Sequence, residues 1–406
     1  MDPVEIMLNL KSVTPYYQPI ISAESQMVAG YAVIPVFRMD DGTVQNIEWF
    51  FNDPSIPEEF HLELGKHVLE KAIQYQLETD PEMDLFFNYN KKVIMKDRGE
   101  NLEKFLDRQI EKGFRADKFV LQIKEDFKQE EMDSAQNLFK YLKSSGIRIA
   151  LYDIGERRGG LDRLAYLKPN IVEIDVSFMK ENESPYFYRD VHYSLSLLSQ
   201  KIGASLLFKE VSTYNQLSHA WRNGGRFYQG DYFSRPLPEF TEKCFCKEKM
   251  AKDFRMIVSY EQKKIHAQLQ LANRLNQKLK FELDKIQTDE AVDEIALKTG
   301  RACTNYTFRV YICNSKGLQL SANAEKDEDG QWRLYEDMRN KNWSWRPYFL
   351  ENIVRMKVEQ KGILSDLYTD ISRNEQIRTF SYPLSDDLYI FLDIPYSFLF
   401  EQEGLL

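Results

Sequence analysis

No apolar run in this 406-residue chain approaches the length that crosses a membrane. Nor do the first residues, MDPVEIMLNL, have the basic segment and apolar core of a secretory signal. Both absences predict a cytoplasmic protein. Positive charge is in deficit. The net charge of −9 argues against nucleic acid as a general partner, because phosphate backbones are bound by a basic face. A small phosphate ligand held by one or two local cations stays compatible with it. Cysteine is scarce: Cys244, Cys246, Cys303 and Cys313 match neither a C-x-x-C redox pair nor a zinc ribbon. Reduced thiols are expected, with Cys303 and Cys313 as packing residues. Glycine and proline are missing between Pro238 and Gly300. There Ile265, Leu269, Ala272, Leu275, Leu279, Leu283 and Ile286 recur three or four residues apart among Lys, Gln and Glu. This predicts a long amphipathic helix or a helix pair, too irregular for a strict coiled coil. Its stripe either packs on the chain's own domains or serves as a signalling or dimer helix.

What is present is globular. A hydrophobic content of 43% with 13% aromatics excludes a mostly disordered chain, and 406 residues exceed one compact core. The first half alternates apolar strands (28–37, 84–90, 119–124, 147–154, 171–176, 204–211 and 226–233) with helical stretches. Nearly continuous apolar strands between helices indicate a parallel sheet buried on both faces, and this many units indicate a closed α/β barrel. Functional groups of such a barrel sit at the C-terminal ends of its strands. From Thr307 onward, 307–313, 362–371, 375–384 and 386–395 alternate like half-exposed antiparallel strands, with helix over 342–357. The predicted organisation is a barrel over 1–240, a helical linker over 241–299 and an α+β domain over 300–406.

Particular residues then point to a family. Gln18 and Pro19 in YYQPI, Gly30, Asn88 in FFNYN, Asp153 in LYDIG, Asp175 in VEIDV and the YQGDYFSRPLP run around Gln229 follow one another as in an EAL domain. Over about 8–240 the chain resembles this family, a TIM-like barrel whose active members hydrolyse the bacterial second messenger cyclic di-GMP. With its remainder it resembles the YkuI type, whose C-terminal domain is PAS-like and more distantly similar to Cache sensors. The resemblance implies a homodimer, since EAL barrels commonly pair, and a signalling protein as a further partner. For the active enzyme it implies two divalent cations held by oxygen ligands, chiefly carboxylates.

Carried over position by position, that metal site is depleted. The glutamate that gives the family its name falls on Ala32, and the glutamate opening E-I-T-E on Gln122. The paired aspartates fall on Tyr152 and Asp153, the lysine of K-I-D on Glu173, and the two glutamates of A-E-G-V-E-T on Lys209 and Ser212. Glu125 and Glu210 lie nearby, but a one-residue slip turns a strand side chain to the opposite face, toward the helix layer or a loop, and both are expected to be ordinary solvated charges. The exchange of charge between Glu173 and Lys209, on consecutive strands, predicts an ion pair of reversed polarity. Of the nucleotide-binding positions, Gln18, Pro19, Gln229 and Pro236 are kept. The family's arginine falls on Val36, with Arg38 two residues on and facing the same side of an extended strand. Arg157, Arg158, Arg226 and Arg235 add positive charge near strand ends, and Asn88, Asp153 and Asp175 complete the set if the nucleotide is retained. Three readings follow: a degenerate regulatory or scaffolding protein with no cofactor, a metal-independent cyclic di-GMP receptor, and a residual phosphodiesterase using Mg or Ca.

A second candidate site is WSWRPYF with SDLYTD. Trp345, Arg346, Tyr348, Tyr368 and Asp370 offer an aromatic pocket with one cation and one anion, suited to a small carboxylate or amine. The competing reading is that these aromatics fill the core of a small domain, with Arg346 capping a helix or pairing with Asp366.

Overall fold

The computed structural model describes residues 1–154, 160–180, 185–285 and 290–402, apart from the side chains of 180, 185–189, 347 and 348. Arg157, Arg158 and the Tyr348 side chain therefore lie outside the described residues. The chain forms two units, Met1–Phe254 and Arg255–Leu406.

In the first unit the strands are β1 (Val13–Ser22), β2 (Val28–Arg38), β3 (Val44–Asn46), β4 (Asp84–Asn88), β5 (Phe119–Lys124), β6 (Arg148–Tyr152), β7 (Ile171–Asp175), β8 (Ser205–Lys209) and β9 (Gly225–Gln229). They are ordered β1-β9-β8-β7-β6-β5-β4-β2-β3, and a further β1–β2 pairing closes the ring. Eight strands, among the described residues, thus make the predicted α/β barrel, with β3 extending the β2 hairpin. From β2 through β4 to β9 the neighbours are parallel, whereas β1 is antiparallel to both β2 and β9. Apolar periodicity alone does not predict a strand at β1. Pro15 and Pro19 interrupt it, and proline lacks the ladder donor that a strand interior ordinarily uses.

Side chains alternate between the two faces of each strand. Inward-facing Ile20, Ala32, Phe86, Val120, Ala150, Ile171 and Leu207 form one buried apolar layer, packed by Phe227. The intervening residues, such as Phe87, Leu121, Ile149, Val172 and Phe208, belong to the larger core between strands and helices. Two residues beyond the apolar layer, the same inward face carries Asn88, Gln122, Tyr152, Glu173, Lys209 and Gln229. The barrel is therefore plugged by hydrocarbon below and opens on polar groups at its C-terminal end.

Gln229 is held by a tight turn. Gly230 has φ +146°, and a Cβ there would lie 2.2 Å from the Val211 carbonyl oxygen and 2.4 Å from its nitrogen. Val211 in turn donates its N–H to the Gln229 carbonyl at 3.0 Å.

In the second unit the strands are β10 (Arg309–Asn314), β11 (Asn323–Lys326), β12 (Trp332–Tyr335), β13 (Ile363–Leu364), β14 (Tyr368–Asp370), β15 (Glu375–Pro383) and β16 (Leu388–Pro395). They form an antiparallel sheet in the order β12-β11-β10-β16-β15-β13, with β14 on β15. The glycine-free segment is a helix over Lys247–Leu283. Its stripe packs at home: Leu271, Leu275 and Leu279 are buried with Val310, Phe380 and Ile390 of the sheet. Ile265 and Leu269 stay exposed. Cys303 and Cys313 are free and buried as expected, Cys246 is buried too, and burial pushes the Cys303 thiol up to about 11.

This packing is testable at two places. Gly230→Ala meets backbone in a conformation that side chains rarely adopt, so it should destabilise the barrel by about 2–4 kcal/mol in urea unfolding. His192 and His219, on helices Pro185–Ile202 and Tyr214–Arg222, have ring nitrogens 2.9 Å apart. Burial, with His219 beside it, pushes the His192 pKa down to about 4. Its contribution is complete above the ordinary histidine value near 6.5 and is lost as pH falls toward 4, about 3 kcal/mol in all. Comparing unfolding of the wild type with His192→Gln over pH 7 to 4 should show a steeper loss in the wild type, because buried His61, also lowered by burial, leaves a residual slope in both.

Candidate functional site

The polar layer at the mouth is tied together by its own side chains. Glu173 is buried on β7, and its Oε1 accepts from Gln122 Nε2 of β5 at 2.6 Å. Lys209 Nζ of β8 lies 3.3 Å from Glu173 Oε2, so the pair of reversed polarity is present. Burial opposes the charge on Lys209, but Glu173 and then Glu48 outweigh it and the ammonium pKa is raised. Lys209 therefore stays cationic at every physiological pH. Its Nζ also lies 5.7 Å from the centre of the Tyr152 ring. Burial raises the Tyr152 phenol, whose single O–H is shared between Asn88 Oδ1 at 3.0 Å and Asn52 Oδ1 at 2.9 Å.

On β9, the strand next to that of Lys209, Gln229 Nε2 donates to Gln18 Oε1 of β1 at 2.8 Å. Gln18 Nε2 donates to the Ser234 carbonyl at 3.2 Å. Gln229 Oε1 is buried without a hydrogen-bond partner among the described residues. Paired bonds between Tyr17 and Leu237, 2.7 and 3.0 Å long, hold the segment containing Pro236 against β1, where Pro19 is buried. Beside Tyr152 a cleft of about 540 Å³ opens between Asn52, Asn90, Lys92, Lys124 and Lys128.

Not every expected residue joins this group. Asp153 stands at φ +57° and pairs with Lys124 at 2.8 Å. Asp175 is exposed at the end of β7 and accepts from the Ser177 N–H at 2.6 Å. The Ser212 hydroxyl and N–H both donate to Gln216 Oε1, which turns Ser212 into a helix-start residue. Arg38 is exposed at the end of β2, six residues beyond Ala32 and hence about 20 Å along the strand. Glu125 points outward as expected but is not a solvated charge: its buried carboxylate meets Arg163 of the helix layer at 3.2 Å. Asn52, Lys124 and Glu48 belong to the mouth without any motif pointing to them. Their contacts join segments far apart in the chain, and no local pattern announces them.

The second candidate set is not assembled as expected. Arg346 lies 4.5 Å from the Trp343 ring and 5.9 Å from Tyr368, lining a cavity with Tyr311, Phe349 and Thr379. That cavity measures about 20 Å³, room for a water. Asp370 faces elsewhere: it pairs with Arg309 at 3.0 Å and accepts from the Arg373 N–H at 2.8 Å. Trp345 is 67% exposed, and Trp343 takes the lining position instead.

The buried pair gives a stability prediction. Lys209→Met should leave Glu173 uncompensated and cost about 3–5 kcal/mol, whereas Glu173→Gln combined with Lys209→Met should recover most of it in urea unfolding.

Comparison with known proteins agrees with this fold. Residues 3–236 match the EAL domain family, and residues 240–406 match the EAL-domain associated signalling protein domain. The EAL-domain containing protein YkuI of Bacillus subtilis is 38% identical over 408 residues, covering 100% of both chains. The crystal structure of that protein, in complex with substrate c-di-GMP and calcium, superposes with a TM-score of 0.93 over 100% of both chains. A probable cyclic di-GMP phosphodiesterase of Escherichia coli, PdeD, is 23% identical over 55% of this chain and 41% of its own. Barrel, motif order and full-length likeness coincide, and the chain belongs to the EAL-domain family, as a protein of the YkuI type.

Proposed function

We propose that the protein is a receptor in cyclic di-GMP signalling that binds the nucleotide through its EAL barrel without hydrolysing it. The observation that carries this reading is the Lys209–Glu173 pair at the mouth, 3.3 Å apart. Phosphodiester hydrolysis by a metal pair needs hard oxygen donors with charge to spare. Ala32 offers none, Asn88 is engaged by Tyr152, Glu173 by Gln122 and Lys209, and Asp153 by Lys124. A permanent ammonium among these groups repels a divalent cation. The donors present do not fit two metal ions.

The same ammonium suits an anionic ligand. Lys209 is partly open to solvent, with its side chain 25% exposed, and can supply the positive charge that a phosphate would otherwise take from a metal. The Gln18–Gln229 bond, on the neighbouring strands β1 and β9, adds polar side chains beside it. The cleft beside Tyr152 is of ordinary ligand size and adds Lys92, Lys124 and Lys128 to the cations near the mouth, although Lys209, Gln18 and Gln229 do not line it. The relative of 38% identity, solved with c-di-GMP, supports retention of the nucleotide over a purely scaffolding role. Its calcium favours the competing reading, in which exposed Asp175 and a phosphate share one cation.

Calorimetric titration of cyclic di-GMP with EDTA, and again with excess magnesium or calcium, separates these readings. Binding should agree within about threefold between the two conditions, and the nucleotide should be recovered intact. The folded double variant, E173Q with K209M, should bind at least about tenfold more weakly, the loss of one charge-assisted contact. Binding only with metal, or turnover, would overturn the proposal; silence in both conditions would leave the scaffold.

A further inference from the structure

The segment 230–237 runs from the mouth of the barrel past the start of the long helix Lys247–Leu283. It is an irregular strap, tied to Val211 through the Tyr232 N–H at 2.9 Å and to Tyr17 through Leu237. Between those ties it meets Gln18. Gln18 Nε2 donates to the Ser234 carbonyl at 3.2 Å and lies 3.5 Å from Asp231 Oδ1. An amide side chain has a donor end and an acceptor end, and a carbonyl can only accept. Ser234 therefore takes the Nε2 end of Gln18 and turns its Oε1 to Gln229 Nε2, 2.8 Å away. Whatever places the strap also sets both glutamines.

What places it is the start of the helix. Tyr232 donates its hydroxyl to Asp253 Oδ2 at 2.8 Å, and Asp253 is buried. Lys249 Nζ donates to the Tyr232 carbonyl at 2.5 Å and stands 3.5 Å from the centre of the tyrosine ring. Lys249 and Asp253 are one turn apart and share a helix face. The adjoining face holds Met250 and Phe254, which pack on the barrel core, Phe254 at 6.1 Å from the Tyr228 ring of β9. Apolar packing alone would seat this helix. Two charged groups on one tyrosine add direction, because hydrogen bonds to ions are short and strong. Burial and then Asp253 raise the Tyr232 phenol, which stays a neutral donor.

We infer that Tyr232, Lys249 and Asp253 are positioning residues for the nucleotide, which fix the strap on the helix so that Gln18 and Gln229 hold one orientation. The inference rests on the receptor reading above. It makes the helix a point of control: a displacement of its first turns reaches both glutamines, and by reciprocity bound nucleotide steadies those turns.

Hydrogen exchange of the full chain without nucleotide tests the link between helix and strap. Y232F removes the hydroxyl and leaves the ring, and D253A removes the acceptor. Each should speed exchange across 230–237 at least about tenfold, with strand 119–124 unchanged as the control for folding. Titration of cyclic di-GMP then tests the link between strap and ligand. Each variant should bind about tenfold more weakly, the size of an ordinary coupling between sites. The double variant should be no weaker than either single, since both remove one contact, whereas two unrelated packing defects would add. D253N, which keeps an acceptor for the hydroxyl, should recover most of the affinity lost in D253A. Unchanged exchange over 230–237, loosening that extends equally to 119–124, additive losses, or wild-type affinity with a loosened strap would each overturn this inference alone. A wild type that binds no nucleotide would overturn the receptor reading, and the positioning role with it.

Discussion

A carboxylate enclosed in a closed barrel has to be neutralised from within, and at the mouth of this one Glu173 is neutralised by Lys209. The rest of the site is arranged around that requirement. Gln122 spends its amide on the second carboxylate oxygen, and Tyr152 stands between Lys209 and Asn88 with a neutral phenol. Because the strands alternate, the inward position two residues below each of these groups is apolar, from Phe86 to Leu207. Water and counter-ions have no access from below, so charge at the mouth is balanced by side chains or by ligand.

On the proposed reading, this arrangement is how an EAL barrel keeps its nucleotide while changing its chemistry. A pair of cations and a ring of carboxylates is one neutral solution, and an ammonium with a single carboxylate is another. Only the first activates water. On the proposed reading, the second keeps one fixed positive charge for a phosphate and needs no metal. Gln229 and Gln18 stand on the next two strands from that of Lys209, pinned by the Gly230 turn and by the Tyr17–Leu237 bridges.

Much of this is legible in the sequence because the barrel has a period of two. Strand runs such as DLFFN and FVLQIK place Asn88 and Gln122 one pleat beyond Phe86 and Val120, and the charge exchange between β7 and β8 is enough to suggest the ion pair. Strand β1 is hidden by Pro15 and Pro19. Asn52 and Lys124 are hidden for another reason: Tyr152 meets a residue 100 positions away, and such contacts leave no local signature. Closeness in sequence also misleads. Arg38 is carried far beyond the mouth by the straightness of β2, and Asp370, two residues from Tyr368, turns to the buried Arg309 rather than to the Arg346 cavity.

On the proposed reading an ammonium occupies the charge balance that a metal pair would otherwise hold, and anomalous diffraction from crystals grown in manganese with cyclic di-GMP tests this most directly. The expected map has no anomalous peak within coordination distance of Gln122, Tyr152, Glu173 or Asp153, with Lys209 next to a phosphate oxygen. Two manganese ions a few ångströms apart among those side chains, with Lys209 turned away, would contradict it.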